Sequence, residues 1–152
     1  PRAFVAGSVS YSTSANETLT RMSSSQYDPA QEVILFGDSG SLPLAEASGI
    51  SGDVEIVASQ PNSVVLKANL SRPGHVVHLA RFDTNWHATV DGKEISVFRA
   101  NHLFRAVRAE AGQHEVRFDY RQRGLGAGLA ITAATLAALA TLLGMELRRP
   151  RS

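Results

Sequence analysis

Apolar and polar side chains alternate along most of residues 53–123. In Val64–Leu70, the side chains of Val64, Leu66, Ala68 and Leu70 fall on one face, and those of Val65, Lys67 and Asn69 on the other. That period of two marks a half-buried strand. Strands are likewise predicted over Val54–Ser59, His75–Phe82, Trp86–Val90, Lys93–Phe98, Leu103–Ala109 and Gln113–Tyr120, the last with Val116, Phe118 and Tyr120 on one side. Turn formers separate them: Pro61-Asn62, Arg72-Pro73-Gly74, Asp91-Gly92 and Glu110-Ala111-Gly112. Asp91-Gly92 is the strongest of these signals, because a two-residue hairpin turn needs positive φ at both positions. Gly112 meets the same need in the next tight turn. About seven strands at a spacing near ten residues predict a mainly β fold, an Ig-like or jelly-roll-type antiparallel β-sandwich.

Residues 1–36 predict a small α/β lead-in. Phe4–Val9 reads as a short strand, Ser14 with Glu17 as a capping box ahead of a helical stretch around Thr18–Ser23, and Val33–Phe36 as a buried strand. Asp28-Pro29 separates helix from strand, because the residue before proline avoids the α region. Residues 37–52, rich in Gly, Ser and Ala, read as a linker or loop.

From Gly124 to Met145 there is no charge, Asn, Gln, His or Pro. A helix of that length would span about 33 Å, close to the ~30 Å of a bilayer core. Residues 124–146 are therefore expected to form one C-terminal transmembrane helix rather than a buried helix of a soluble core. Arg121 and Arg123 stand before it and Arg148, Arg149 and Arg151 after it, as boundary anchors. Because the short basic tail, 147–152, is the easier side to leave in the cytoplasm, the β-sandwich of 53–123 is expected outside it. Gly126, Ala130, Ala134 and Ala138 recur every four residues, a small-residue seam on which other transmembrane helices could pack.

Composition narrows the chemistry. The 152 residues include no cysteine, which excludes disulfides, thiolate metal sites and a cysteine nucleophile. The pI near 8.8 comes from the tail, since residues 1–123 carry 12 basic against 13 acidic side chains. No basic surface argues for nucleic acid. The chain starts at Pro1 without a signal segment, and so reads as a piece of something longer. His75, His78, His87, His102 and His114 show no metal-binding spacing, and His75 and His78, three apart on a strand, point to opposite faces. No nucleophile elbow surrounds any serine, and no phosphate loop is present. The densest informative cluster is Asp83, Asn85 and Trp86, at a strand-to-strand turn. It admits two readings. In one, Trp86 stacks on a sugar while Asp83 and Asn85 bind hydroxyls; in the other, preferred here, Trp86 is a core residue beside an ordinary turn.

Three stretches then combine: Trp86-His87-Ala88-Thr89-Val90-Asp91-Gly92-Lys93; Phe98–Val107, ending Phe104-Arg105-Ala106-Val107; and Ala111-Gly112-Gln113-His114-Glu115-Val116-Arg117-Phe118-Asp119-Tyr120. Followed by an apolar segment, they resemble the C-terminal end of the YfhO family of bacterial multi-pass membrane proteins. The likeness covers residues 80–128. It departs from the family pattern at Arg81–Asn85, in place of aromatic residues with Pro-Gly, and at Arg121-Gln122-Arg123, in place of a proline. The structural signature residues are Trp86, Asp91, Gly92, Gly112, Phe118 and Tyr120. The resemblance implies a parent similar to GT-C-type glycosyltransferases, which take sugar from a polyprenyl-phosphate-linked donor on the outer face of the bacterial cytoplasmic membrane. It also implies that the catalytic acid lies among helices outside this chain.

Three functions follow as expectations. The first is an extracytoplasmic accessory domain, with the last membrane helix, of such an enzyme acting on cell-envelope glycopolymers. The second is a single-pass, membrane-anchored binding or adhesion module. The third is an interaction subunit that uses the Gly126/Ala130/Ala134/Ala138 seam. The lipid bilayer is a partner in all three.

Overall fold

Leu66, Val116 and Phe118 are buried while Lys67, Glu115 and Arg117 beside them are exposed, so the alternation of the sequence becomes one inward face. The structure, a computed structural model, describes residues 2–29, 31–37, 52–122 and 124–147. The chain divides into two units, Pro1–Arg121 and Gln122–Ser152. In the first, the strands are β1 (Ala3–Ala6), β2 (Ser8–Ser12), β3 (Glu32–Phe36), β4 (Gly52–Gln60), β5 (Ser63–Leu70), β6 (Gly74–His78), β7 (Trp86–Val90), β8 (Lys93–Ile95), β9 (Phe98–Ala100), β10 (Phe104–Ala109) and β11 (Gly112–Tyr120), with helix α1 (Ala15–Met22) between β2 and β3. One sheet has the order β1-β6-β10-β9-β3-β2 and the other β4-β5-β11-β7-β8.

Val5, Val76 and Val107 from the first sheet meet Leu66, Val116 and Phe118 from the second in the main core. The opposite face of the first sheet has its own apolar layer, built on Val33, Leu35, Val77 and Ala106. A sheet buried on both faces loses the clean alternation of a half-buried one, which is why Val33-Ile34-Leu35 and His75-Val76-Val77-His78 are continuously buried.

The lead-in belongs to this sheet. β1 pairs with β6 (Val5↔Val76), and β3 pairs with β9 (Leu35↔Ala100). The expected strand Phe4–Val9 is broken at Gly7 into β1 and β2. β2 and β3 run parallel, from Ser8↔Glu32 to Ser12↔Phe36, because α1 carries the chain back to the starting end of the sheet. The expected Ig-like or jelly-roll-type antiparallel sandwich is corrected on this point: two sheets are formed, but one contains a parallel pair across a small α/β element.

α1 starts as the capping signal predicts. The Ser14 side chain accepts from the Glu17 backbone N–H. Glu17 reaches back to the Thr13 N–H and the Ser12 hydroxyl instead of completing a reciprocal box with Ser14. The β7–β8 turn is also as predicted, with φ of 51° at Asp91 and 79° at Gly92. The run expected as one strand over Lys93–Phe98 is divided, because the chain crosses between sheets at Ser96-Val97: β8 stays in the second sheet and β9 joins the first.

The second unit contains helix α2 (Leu125–Leu147). The expected transmembrane helix over 124–146 is corrected. Among the described residues, no helix is long and apolar enough to cross a membrane. Freedom from charge is weaker than hydrophobicity. Seven alanines, three glycines and three threonines fill much of this 23-residue helix, and such residues contribute little to transfer into hydrocarbon. Gly126, Ala130, Ala134 and Ala138 lie exposed on α2. The expected loop 37–52, apart from its two end residues, lies outside the described residues, as do Arg123 and the basic tail beyond Leu147.

Candidate functional site

The Asp83–Trp86 turn is held by its own side chains. The Asp83 carboxylate accepts from the Asn85 backbone N–H (2.8 Å), and the Asp83 carbonyl from the Trp86 N–H (3.1 Å). Asn85 Nδ2 donates to the Tyr120 hydroxyl (3.3 Å), whose ring meets the half-buried indole of Trp86 edge-on at 5.1 Å. Beneath the indole, the Arg105 guanidinium lies 3.6 Å from its ring centroid and 4.9 Å from that of Phe118. One face of Trp86 is therefore occupied from within the core. Asp83 alone of the three expected contact residues is exposed.

Arg105 is 1% exposed, and among the described residues its cation is met by aromatic faces rather than by a carboxylate. Its Nε and Nη2 lie 3.2 and 2.9 Å from His78 Nδ1, while Nη1 is buried without a hydrogen-bond partner among the described residues. Burial lowers the Arg105 pKa to about 10, leaving it charged at neutral pH. Burial, then Arg105 and Arg2, hold His78 down at about 4, so it is neutral and its Nδ1 accepts. His75, buried on the opposite face of β6 beside Phe98, is also lowered to about 4, by burial and then by Arg108. The sequence carries a signal for Arg105: it is in phase with the inward-facing Val107 and Ala109 of β10.

Asp91 and His114 form a second cluster at the other end of the sandwich. His114 Nδ1 is 2.7 Å from Asp91 Oδ2 and its Nε2 is 3.1 Å from the Glu110 carbonyl, while Asp91 Oδ1 accepts from the Glu115 N–H at 2.9 Å. The Asp91 hydrogen bond raises the His114 pKa, and the His114 hydrogen bond lowers that of Asp91. Both imidazole nitrogens are engaged, so the pair acts as a clamp across β7 and β11 and leaves no nitrogen to take a substrate proton. Of the remaining signature residues, Gly92 and Gly112 both hold positive φ, Phe118 is buried and Tyr120 half-buried.

The surface also carries two concavities. A groove of about 490 Å³ runs over the outward face of β4, β5 and β11. Its rungs are in register: Asp53–Asn69–Gln113 and Glu55–Lys67–Glu115. A cleft of about 560 Å³ is lined by Phe4, Met22, Tyr27, Leu79, Asn101 and Phe104 among others. Burial, then Glu32 and Asp28, push the Tyr27 pKa up to about 12. Among the described residues, no group of three or more His, Asp or Glu side chains is placed to hold a metal ion.

The family model of the bacterial membrane protein YfhO matches residues 54–132, just over half of the chain. The chain belongs to the YfhO family. The match runs from Val54 in β4 through β11 into α2, so it covers the groove apart from Asp53, the Arg105–Trp86 stack and the Asp91–His114 clamp. Comparison with the curated proteins and with the solved structures found no match. YfhO membership gives the chain its membrane context, which α2 by itself does not.

Proposed function

We propose that this sandwich is an extracytoplasmic accessory domain of a multi-pass, glycosyltransferase-like YfhO protein. In this reading it positions a cell-envelope polymer, while residues elsewhere in the parent transfer sugar from a polyprenyl-phosphate-linked donor. The YfhO match over 54–132 carries the reading. The groove adds support, because amide, carboxylate and ammonium side chains on adjacent rungs present donors and acceptors spaced for a polyhydroxylated chain.

The test is transfer of labelled sugar in membranes holding the full-length parent, with Asp83→Ala, Asn85→Ala and Trp86→Ala compared with the unaltered protein. Reduced transfer at an unchanged protein level for Asp83→Ala or Asn85→Ala would place this turn in acceptor recognition. Loss through Trp86→Ala alone, with loss of the protein, would make the turn scaffold only. Transfer by the isolated 152-residue chain would overturn the accessory role.

A further inference from the structure

The start of β10 and the close of β6 lie at one end of the sandwich. Leu79 is 38% exposed and Leu103 54%. They belong to separate loops, and the Phe82 N–H, which donates to the Leu103 carbonyl at 2.7 Å, joins the two loops. Single exposed leucines are ordinary, but two on adjoining loops make an apolar knuckle.

Cations surround it. The Arg2 carbonyl accepts from the Leu79 N–H (2.8 Å), and Arg81 follows two residues later. Both arginines are exposed. Arg99, held to the His102 carbonyl and lying over the Phe36 ring, is beside the same turn, and Arg121 pairs with Glu94 at 3.4 Å, both exposed. Asp83 is one acid at this end, with one carboxylate oxygen taken by the Asn85 N–H, and Asp53 lines the cleft that Leu79 also lines. The Arg121 N–H donates to the Asn85 carbonyl, so the chain also leaves the sandwich at this end.

We propose that this end docks onto the surface of an anionic bilayer. Leu79 and Leu103 enter the headgroup boundary while Arg2 and Arg81 engage lipid phosphates. Apolar side chains ringed by arginine suit that boundary, where hydrocarbon and anionic headgroups meet within a few ångströms. The docking needs no spanning helix, and it is independent of any sugar chemistry in the parent.

The absence of cysteine allows single labels in the full chain. An environment-sensitive fluorophore would be attached at Leu79→Cys, at Leu103→Cys and, as a control, at Ala111→Cys, roughly 20 Å away along β10. Each labelled chain would be titrated with vesicles of phosphatidylcholine alone or with about one-third phosphatidylglycerol. Emission at 79 and 103 should shift to the blue and rise about twofold or more on the anionic vesicles, with 111 unchanged. Arg2→Gln with Arg81→Gln should raise the lipid needed for half the response about 25-fold, at roughly fivefold per arginine. Labels at 79 and 103 that stay water-like while the chain sediments with vesicles would overturn the proposal. So would an equal response at 111, or no effect of the arginine substitutions. A response to soluble polyphosphate with none to vesicles would also overturn it, assigning the surface to a polymer instead.

Discussion

Arg105 shows how one side chain is tolerated where its type is rarely found. Removing an arginine from water is costly unless its charge and donors are answered. Here Trp86 and Phe118 supply π faces and His78 supplies a lone pair. The planar, weakly hydrated guanidinium suits that environment better than an ammonium does. Arg105→Lys should therefore cost about 2 kcal/mol, read as a lower urea midpoint at unchanged slope. At the same scale, the histidines set opposing pH dependences. His75 and His78 have folded values near 4, below their usual 6.5. The unfolded chain therefore binds more protons between those limits, and stability falls as pH drops from 6.5 to 4, by about 3 kcal/mol for each group. His114 is raised, so its contribution is complete below pH 6.5 and is lost as pH rises through its folded value. Asp91 is lowered, so its share is present above pH 3.8 and is lost as pH falls through its folded value. Urea melts from pH 4 to 9 should show a maximum near pH 6.5, and Asp91→Asn should remove the decline above it while leaving the acid limb.

Among the elements, those read correctly from the sequence were coded by neighbouring residues. Asp91-Gly92 specifies its own turn, and Ser14 caps its own helix. The β9–β10 turn was missed because its logic is long-range. Asn101 and His102 hold φ of 46° and 67°, without glycine at either position. Asn101 is buried, its Oδ1 accepts from the Ile34 N–H and its own N–H donates to the Ile34 carbonyl, each at 2.8 Å. Its side chain replaces a missing strand partner 67 residues away. Such conformations persist only when the surroundings over-determine them. Asn101→Ala should cost about 2–3 kcal/mol, because it strands the Ile34 N–H and retains the unfavourable φ. Asn101→Gly should recover part of that loss by relieving the backbone, and paired thermal melts would separate the two terms. The Asp83–Trp86 cluster was visible as a cluster, but the cation beneath it was not, since Arg105 lies nineteen positions beyond Trp86 and belongs to the facing sheet.

At the scale of the whole molecule, the sequence sets a small α/β lead-in over residues 1–36 apart from the regular strand series after residue 53. The pairings give the first 36 residues a larger part. β1 covers one edge of β6, while β3 joins β9 to β2. Without them, β6 and β9 keep β10 but lose the partner on their other edge, and Val77, Ala100 and Ala106 lose the layer supplied by Ala6, Val33 and Leu35. Sequence periodicity could not reveal this, because pairing between strands more than 60 residues apart leaves no local mark. A chain of residues 53–121 should consequently fail to fold, whereas residues 1–121 should unfold cooperatively. The comparison is direct: amide dispersion in a heteronuclear NMR spectrum, with a thermal melt of each. A cooperative transition from 53–121 alone would show that the five-stranded sheet and its facing strands β6, β9 and β10 suffice. β1 and β3 would then be additions to a complete sandwich rather than members of it.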